Sequence, residues 1–419
     1  MRGPEALLRS RYFPAACLCA AFLIRVVWML LVDPKPLSDF DWYYARAIDI
    51  SLGRGLQENG VPTAYWPVGY PSFLGALFAM FGSSLLVAKI ANLLLYMGVI
   101  ALSYWLAGRL FRSTLTARLT LLILAFYPNH IAYTSLVASE SLFTFLMLLG
   151  IALLLLPSSR LPMVILSGIT FGLACLVRPQ LLPVPLIAFL LIPKGERPRP
   201  FGERLLTLAG VYAILLVVLV PWTLRNYRAF GHVVLVSTNA GGNLLMGNNP
   251  WADGTYTFRP EFTQIVGTGN EYEQDRRAKS FALDYIREHP LAILKLMPLK
   301  FWYLFRGDIE GIRWSIQGIE AKGERVPKGL MTAIEVLAEG YYLLLVAACA
   351  TTLLLFLLPS KGVGAARPSF PLMGLGFIGY FTLLGLIFYG GSRYHFPVMP
   401  WVAMYAASLP EALRGTPRI

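Results

Sequence analysis

The stretch Ser38-Asp39-Phe40-Asp41-Trp42-Tyr43-Tyr44 places two carboxylates and four aromatic residues directly after the first long apolar run of the chain. An acid at that boundary can take a proton as a general base, or it can simply occupy the first turn of a helix, where negative charge is favoured. Glu140, behind Ser139, carries the same two readings at the end of a later apolar run. As a pair, Asp39 and Glu140 are the candidate catalytic acids. They could also hold a divalent cation, Mg or Mn, but two carboxylates make a thin site that leaves several waters on the ion. Arg178, Arg225 and Arg393 each stand at the end of an apolar run, where a guanidinium fork suits an anion. Asn243 and Asn248 lie in a segment dense in Asn, Gly, Trp and Tyr. Amides meet hydroxyls and aromatic faces stack on sugar rings, although turn propensity alone gives the same composition. Asp41, Tyr43, Tyr70, Tyr394 and His395 complete the candidate binding residues; Asp41 reads equally as a helix-starting acid, and His395 as a structural hydrogen-bonder.

The elements that would carry these groups are set by composition. A chain of 419 residues that is 56% hydrophobic and 13% aromatic is too apolar for a soluble globule and long enough for many bilayer spans. Spans are expected near 13–32, 85–107, 117–136, 142–157, 161–177, 181–192, 205–222, 333–358, 370–389 and 396–409. The expectation is an all-α polytopic membrane protein with about ten transmembrane helices, or twelve if 70–81 and 291–305 also cross. Those two segments are short and read as interfacial or partly re-entrant helices. Residues 33–83 form a first outer loop, 224–332 a second large one, and 333–419 the C-terminal spans. Within the loops, helices are expected from Trp42 to Leu52 and over 271–289. The four cysteines all fall inside spans, without paired spacing, and read as packing residues.

The net charge of +13 suggests nucleic acid at first sight, but the Lys and Arg are scattered through short loops, so no nucleic acid is expected. Orientation accounts for them better. With the N-terminus inside, the pieces 109–118, Arg160, 194–204, 361–367 and the tail with Arg414 and Arg418 all fall on the inner side and are basic. Arg2, Arg9 and Arg11 resemble the start of a signal peptide, yet Arg25 interrupts the apolar run and no small-residue cleavage site follows, so a retained span is expected. The opposite face receives both large loops and every candidate site residue. No glycine-rich phosphate loop stands in the inner segments, which argues against a nucleotide-driven reaction.

In order along the chain come Ser38-Asp39 with Tyr43, the Gly69-Tyr70-Pro71 helix entry, Tyr127-Pro128 with Ser135, Ser139-Glu140-Ser141, the Val177-Arg178-Pro179 turn, and Trp222-Thr223 with Arg225-Asn226-Tyr227. That order resembles the family 39 type membrane glycosyltransferases of the GT-C superfamily, which are similar to the dolichyl-phosphate-mannose protein mannosyltransferases and the lipid A aminoarabinose transferases. The motifs are individually loose and their order more specific, over roughly residues 34–400. The resemblance implies a polyprenyl-phosphate-linked sugar donor, Asp39 as the catalytic aspartate, Glu140 as the acidic partner, and Tyr127-Pro128 and Arg178-Pro179 shaping one cavity. Aminoarabinose transferases carry a lysine before paired prolines at the helix entry; here Trp66-Pro67-Val68-Gly69 stands there, which argues against that substrate. The extra soluble domains of some relatives are not expected, so protein as acceptor is not implied.

The expectation is therefore an inverting transferase in a bacterial inner membrane, facing the periplasm or cell exterior, that moves a monosaccharide onto a lipid-linked or cell-envelope glycan. Its partners are the lipid-linked donor, a glycan or glycolipid acceptor and membrane lipid. A flippase or transporter would instead place ionisable groups near mid-membrane and show repeats. An O-antigen polymerase or ligase would use a pyrophosphate-linked oligosaccharide.

Overall fold

The computed structural model describes residues 8, 10–156, 161–192, 200–357 and 371–414. Arg2, Arg9, Arg160, most of the basic piece 194–204, all of 361–367 and Arg418 lie outside the described residues. What is described is almost entirely helical, with one two-stranded hairpin pairing Gln57–Glu58 to Val61–Pro62.

The apolar runs become helices close to where hydropathy places them. Phe13–Leu31, Leu85–Phe111, Phe201–Phe230 and Lys328–Leu357 are long and apolar enough to cross a bilayer, and Gly69–Phe81, Thr114–Ala125, Glu140–Leu155, Leu161–Val177 and Leu372–Ile387 are shorter apolar helices. Ser84 and Ser113 cap two of them, their hydroxyls accepting from the Val87 and Thr116 amides and so satisfying donors that have no partner within the helix. Phe201–Phe230 stops at Gly231, whose φ of +72° an L side chain adopts only with strain. Leucines such as Leu31, Leu344 and Leu357 point outward from the long helices. In a water-soluble protein that would be a liability; against hydrocarbon it costs nothing. The four cysteines are free, three of them buried and Cys19 exposed on the first helix.

Three expectations change. The run 117–136 is not one helix: Thr114–Ala125 ends, and Pro128 opens a separate helix Pro128–Tyr133. Proline has no N–H to donate to the continuing ladder, and Arg25, fully buried, donates to the freed carbonyls of Leu124 (3.0 Å) and Ala125 (2.8 Å) as well as to Ala21 O (3.1 Å). The odd arginine of the first span thus stabilises a break in another. The run 396–409 is not one helix either: it is divided between the 3-10 helix Ser392–Val398 and the helix Met399–Ala407, all nine residues of which are buried, packed among Lys328–Leu357, Thr114–Ala125 and Leu85–Phe111. Finally, the first loop's helix begins at Asp39, three residues earlier than expected, because Ser38 turns the chain at φ +53°. That conformation costs a non-glycine residue about 1–3 kcal/mol and fixes Asp39 and Asp41 in the first helical turn.

Candidate active site

Four segments far apart in sequence meet at one cluster of charges. Asp39 opens the helix Asp39–Ser51, Glu140 opens Glu140–Leu155, Arg178 precedes the short 3-10 turn Pro179–Leu181, and Arg393 lies in the 3-10 helix Ser392–Val398. Arg393 donates to both acids, through Nη2 to Asp39 Oδ2 at 2.7 Å and through Nε to Glu140 Oε1. Arg178 donates through Nη2 to the same Glu140 oxygen at 2.7 Å, and through Nε and Nη2 to the Ser139 hydroxyl at 3.2 and 3.0 Å. Glu140 is fully buried and Asp39 13% exposed at its side chain, so these are ion pairs in a low-dielectric setting, where each partner is needed to offset the desolvation of the other. Burial alone would lower the Arg393 pKa, but Asp39 and Glu140 outweigh it and hold the guanidinium well above its ordinary value. Phe40 supplies a ring face 4.8 Å from the guanidinium.

Four polar atoms remain open in this cluster among the described residues. Glu140 Oε2 is buried without a hydrogen-bond partner. Asp39 Oδ1 and the Nη1 atoms of Arg178 and Arg393 also carry no partner there. Two carboxylate oxygens and two cationic donors are thus gathered in one region.

The aromatic residues wall that region. Tyr43 packs edge to face on Tyr70, Trp42 and Trp66, and Tyr394 shares a hydrogen bond of 2.7 Å with Tyr389. Burial and the Asp39 charge raise the Tyr43 pKa, so its hydroxyl is a neutral donor rather than a base.

The other sequence candidates sit elsewhere or are already engaged. Arg225 does not reach the cluster; it donates to Leu56 O and Thr63 O, locking the hairpin of the first loop. Glu271 grips the same loop through the Thr63 hydroxyl and the Ala64 amide. Asn248 is buried and spans Leu244 O, Ile387 O and Lys300 Nζ, which makes it a structural amide rather than an open binding group. Lys300 is fully buried with Nζ 3.0 Å from Asn248 Oδ1. Asn243 accepts from Tyr389 at 3.1 Å. Tyr70 is buried and donates to Asn92. Asp41 is exposed on the first turn of its helix. His395 lies between the Phe305 and Tyr342 rings, its Nδ1 against Leu304 O and its Nε2 3.2 Å from Asp308 Oδ1, an ion-pair distance reached off the hydrogen-bond line.

Asp308 escaped the sequence reading. It is 1% exposed, and it gathers His395, the Tyr127 hydroxyl and Asn129 Nδ2 (2.6 Å). Nothing in Arg306-Gly307-Asp308 signals this, since its partners lie about a hundred or more residues away.

A divalent metal is not favoured by these donors. The described residues contain no group of three or more metal-ligating side chains, and the space between Asp39 and Glu140 is bridged by the Arg393 guanidinium. The two acids are matched by two fixed cations, so the pair does not fit a resident ion.

Residues 66–223 match the sequence profile of the dolichyl-phosphate-mannose-protein mannosyltransferase family. The whole chain also superposes on the oligosaccharyltransferase AglB from Archaeoglobus fulgidus, in complex with an inhibitory peptide and a dolichol-phosphate, with a TM-score of 0.55 at 16% identity. That match covers 97% of this chain and 51% of AglB. The chain shares the fold of the matching half of AglB. A second structure of the Archaeoglobus enzyme, tethered with an acceptor peptide, gives 0.55 at 14% identity over 97% of this chain and 50% of the other. This chain therefore spans about half the length of the structures it matches. ArnT from Cupriavidus metallidurans, bound to undecaprenyl phosphate, aligns over 96% of this chain and 78% of its own at 14% identity, with a TM-score of 0.45 that is too low to carry argument. No curated protein matches in sequence.

Proposed function

We propose that the chain is an inverting glycosyltransferase that moves a monosaccharide from a polyprenyl-phosphate carrier to a lipid-linked or cell-envelope glycan on the outer face of a bacterial inner membrane. The observation that carries this reading is the convergence of Asp39, Glu140, Arg178 and Arg393. A polyprenyl phosphate is already a competent leaving group, so the enzyme must supply a base for the acceptor hydroxyl and cations for the departing phosphate. In this reading the acceptor oxygen forms the new bond to the anomeric carbon as the sugar–phosphate C–O bond breaks. Its proton passes to Asp39 Oδ1, and the phosphate leaves with the bonding electron pair toward the free Nη1 atoms of Arg178 and Arg393. Direct displacement inverts the anomeric centre. The open Glu140 Oε2 would accept a hydrogen bond from a substrate hydroxyl and orient it.

Positive charge on the inner loops supports the outward orientation. The test of the base is Asp39→Asn in purified protein given its lipid-linked donor and acceptor. Loss of a general base costs about 10²-fold or more in turnover, so transfer within about threefold of wild type removes Asp39 from that role.

A further inference from the structure

Beside the cluster, on the far side of the Arg178 turn, lies a second concavity of ≈ 320 Å³. Its wall is apolar where Leu182, Leu219 and the strip 233–236 meet the Pro179 turn, and polar where Thr238, Tyr272 and Asp275 close it. Three observations bear on what it takes. First, none of the lining residues is a lysine or arginine, and the ionised group it presents is the Asp275 carboxylate. Second, Asp275 uses one oxygen, Oδ1, to accept from the Gly241 (2.6 Å) and Gly242 (3.2 Å) amides, which leaves Oδ2 without a partner among the described residues. Third, Thr238 is 3% exposed and its hydroxyl has no hydrogen-bond partner, although its amide is fixed to Ala64 O at 2.9 Å. A buried hydroxyl left unpaired is costly unless something else fills its valence.

A phosphate-bearing lipid is the wrong occupant, because its charge would meet a carboxylate and no cation among the lining residues, and the nearby Lys279 acts on Asp275 from outside the lining. A headgroup carrying hydroxyls but no charge is the right one: hydroxyls donate to Asp275 Oδ2 and pair with Thr238 Oγ1, while an attached hydrocarbon lies on Leu182, Leu219 and Val233–Val236. The concavity is also joined to the reactive cluster. Pro179 lines it and is covalently next to Arg178, which donates to Glu140. Burial raises the Asp275 pKa in spite of the two backbone donors, which makes the carboxylate a stronger acceptor for an incoming hydroxyl.

We infer that this concavity is the acceptor subsite, built for an uncharged, hydroxyl-rich glycolipid headgroup, with Asp275 and Thr238 as its recognition groups. The inference rests on the glycosyl-transfer reading above for the word acceptor, but the binding it describes can be measured without turnover. The probe is an alkyl β-glucoside carrying a diazirine in its alkyl chain, with full-length protein in nanodiscs of neutral lipid and crosslinks mapped by mass spectrometry. Crosslinks are expected on residues 233–238, displaced by unmodified alkyl glucoside and not by an alkyl phosphate of the same chain length. Asp275→Asn keeps an oxygen for the two glycine amides but removes the charge, and should weaken labelling roughly tenfold; Thr238→Val, nearly isosteric, should weaken it severalfold. Asp39→Asn should label like wild type. Equal displacement by the alkyl phosphate overturns the inference, and so does labelling that is indifferent to both substitutions in protein with wild-type thermal unfolding. If labelling behaves as expected while Asp39→Asn retains transfer, the catalytic reading fails and the subsite stands.

Discussion

Arg393 joins Asp39 to Glu140, and its position decides what the two acids can do. One guanidinium satisfies an oxygen of each carboxylate, and Arg178 adds a second cation to Glu140. Two negative and two positive charges balance, so the cluster can be buried without changing protonation. Arg393→Ala leaves Glu140 with Arg178 alone and Asp39 with no cation, and should destabilise the protein by about 3 kcal/mol, the cost of breaking a buried pair. Arg393→Lys keeps the charge but lacks the fork that reaches two acids at once, so it should recover much of the stability and little of the activity. Thermal unfolding in detergent beside a transfer assay separates the two. If the alanine variant unfolds at the wild-type temperature, the bridge contributes nothing to the fold.

At the scale of elements, the site depends on how closely two helices approach. The entry Trp66-Pro67-Val68-Gly69-Tyr70-Pro71 was legible as a forced helix start, and the helix begins at Gly69. Its reason for glycine was not legible. A Cβ there would stand 2.5 Å from Val177 N and 2.6 Å from Leu176 C, backbone atoms just before Arg178. Gly69→Ala must therefore push the end of Leu161–Val177 away and carry Arg178 with it. A loss of activity of about tenfold or more with retained expression is the expected outcome, because small misplacements of a charge-stabilising group are costly; unchanged turnover would mean that the turn absorbs the shift. Sequence periodicity found most apolar helices within a few residues because lipid-facing and core-facing sides both select apolar residues. It could not find the break at Phe126–Tyr127, whose causes are divided between Pro128 and the distant Arg25. Likewise the amphipathic helix Glu310–Glu320 was not placed within the loop 224–332.

Across the whole molecule, the site is held by a network that reaches the turn at residues 390–395 from segments over 250 residues apart. Asp308 collects Tyr127 and Asn129 from the broken span and His395 from the turn that carries Arg393, while Asn129 Oδ1 receives the Gly311 amide at 2.8 Å. Burial pulls the His395 pKa down, but Asp308, the Leu304 carbonyl and Glu310 outweigh it, so the folded value lies above the ordinary one near 6.5. The sign follows from linkage. A base whose pKa rises on folding contributes its stabilisation in full below the unfolded value, about 6.5, and loses it as pH climbs through the higher folded value. A double-mutant cycle of His395→Gln and Asp308→Asn, read by thermal unfolding, should therefore give a coupling on the order of 2 kcal/mol at pH 6. The same cycle should give much less at pH 9, where the imidazole is neutral. Because His395 is two residues from Arg393, single substitutions at either position should also lower turnover, and the His395→Gln defect should shrink relative to wild type as pH rises. A coupling that is the same at both pH values would mean that a neutral imidazole holds the turn through packing between Phe305 and Tyr342, and the charge at His395 would have no part in positioning Arg393.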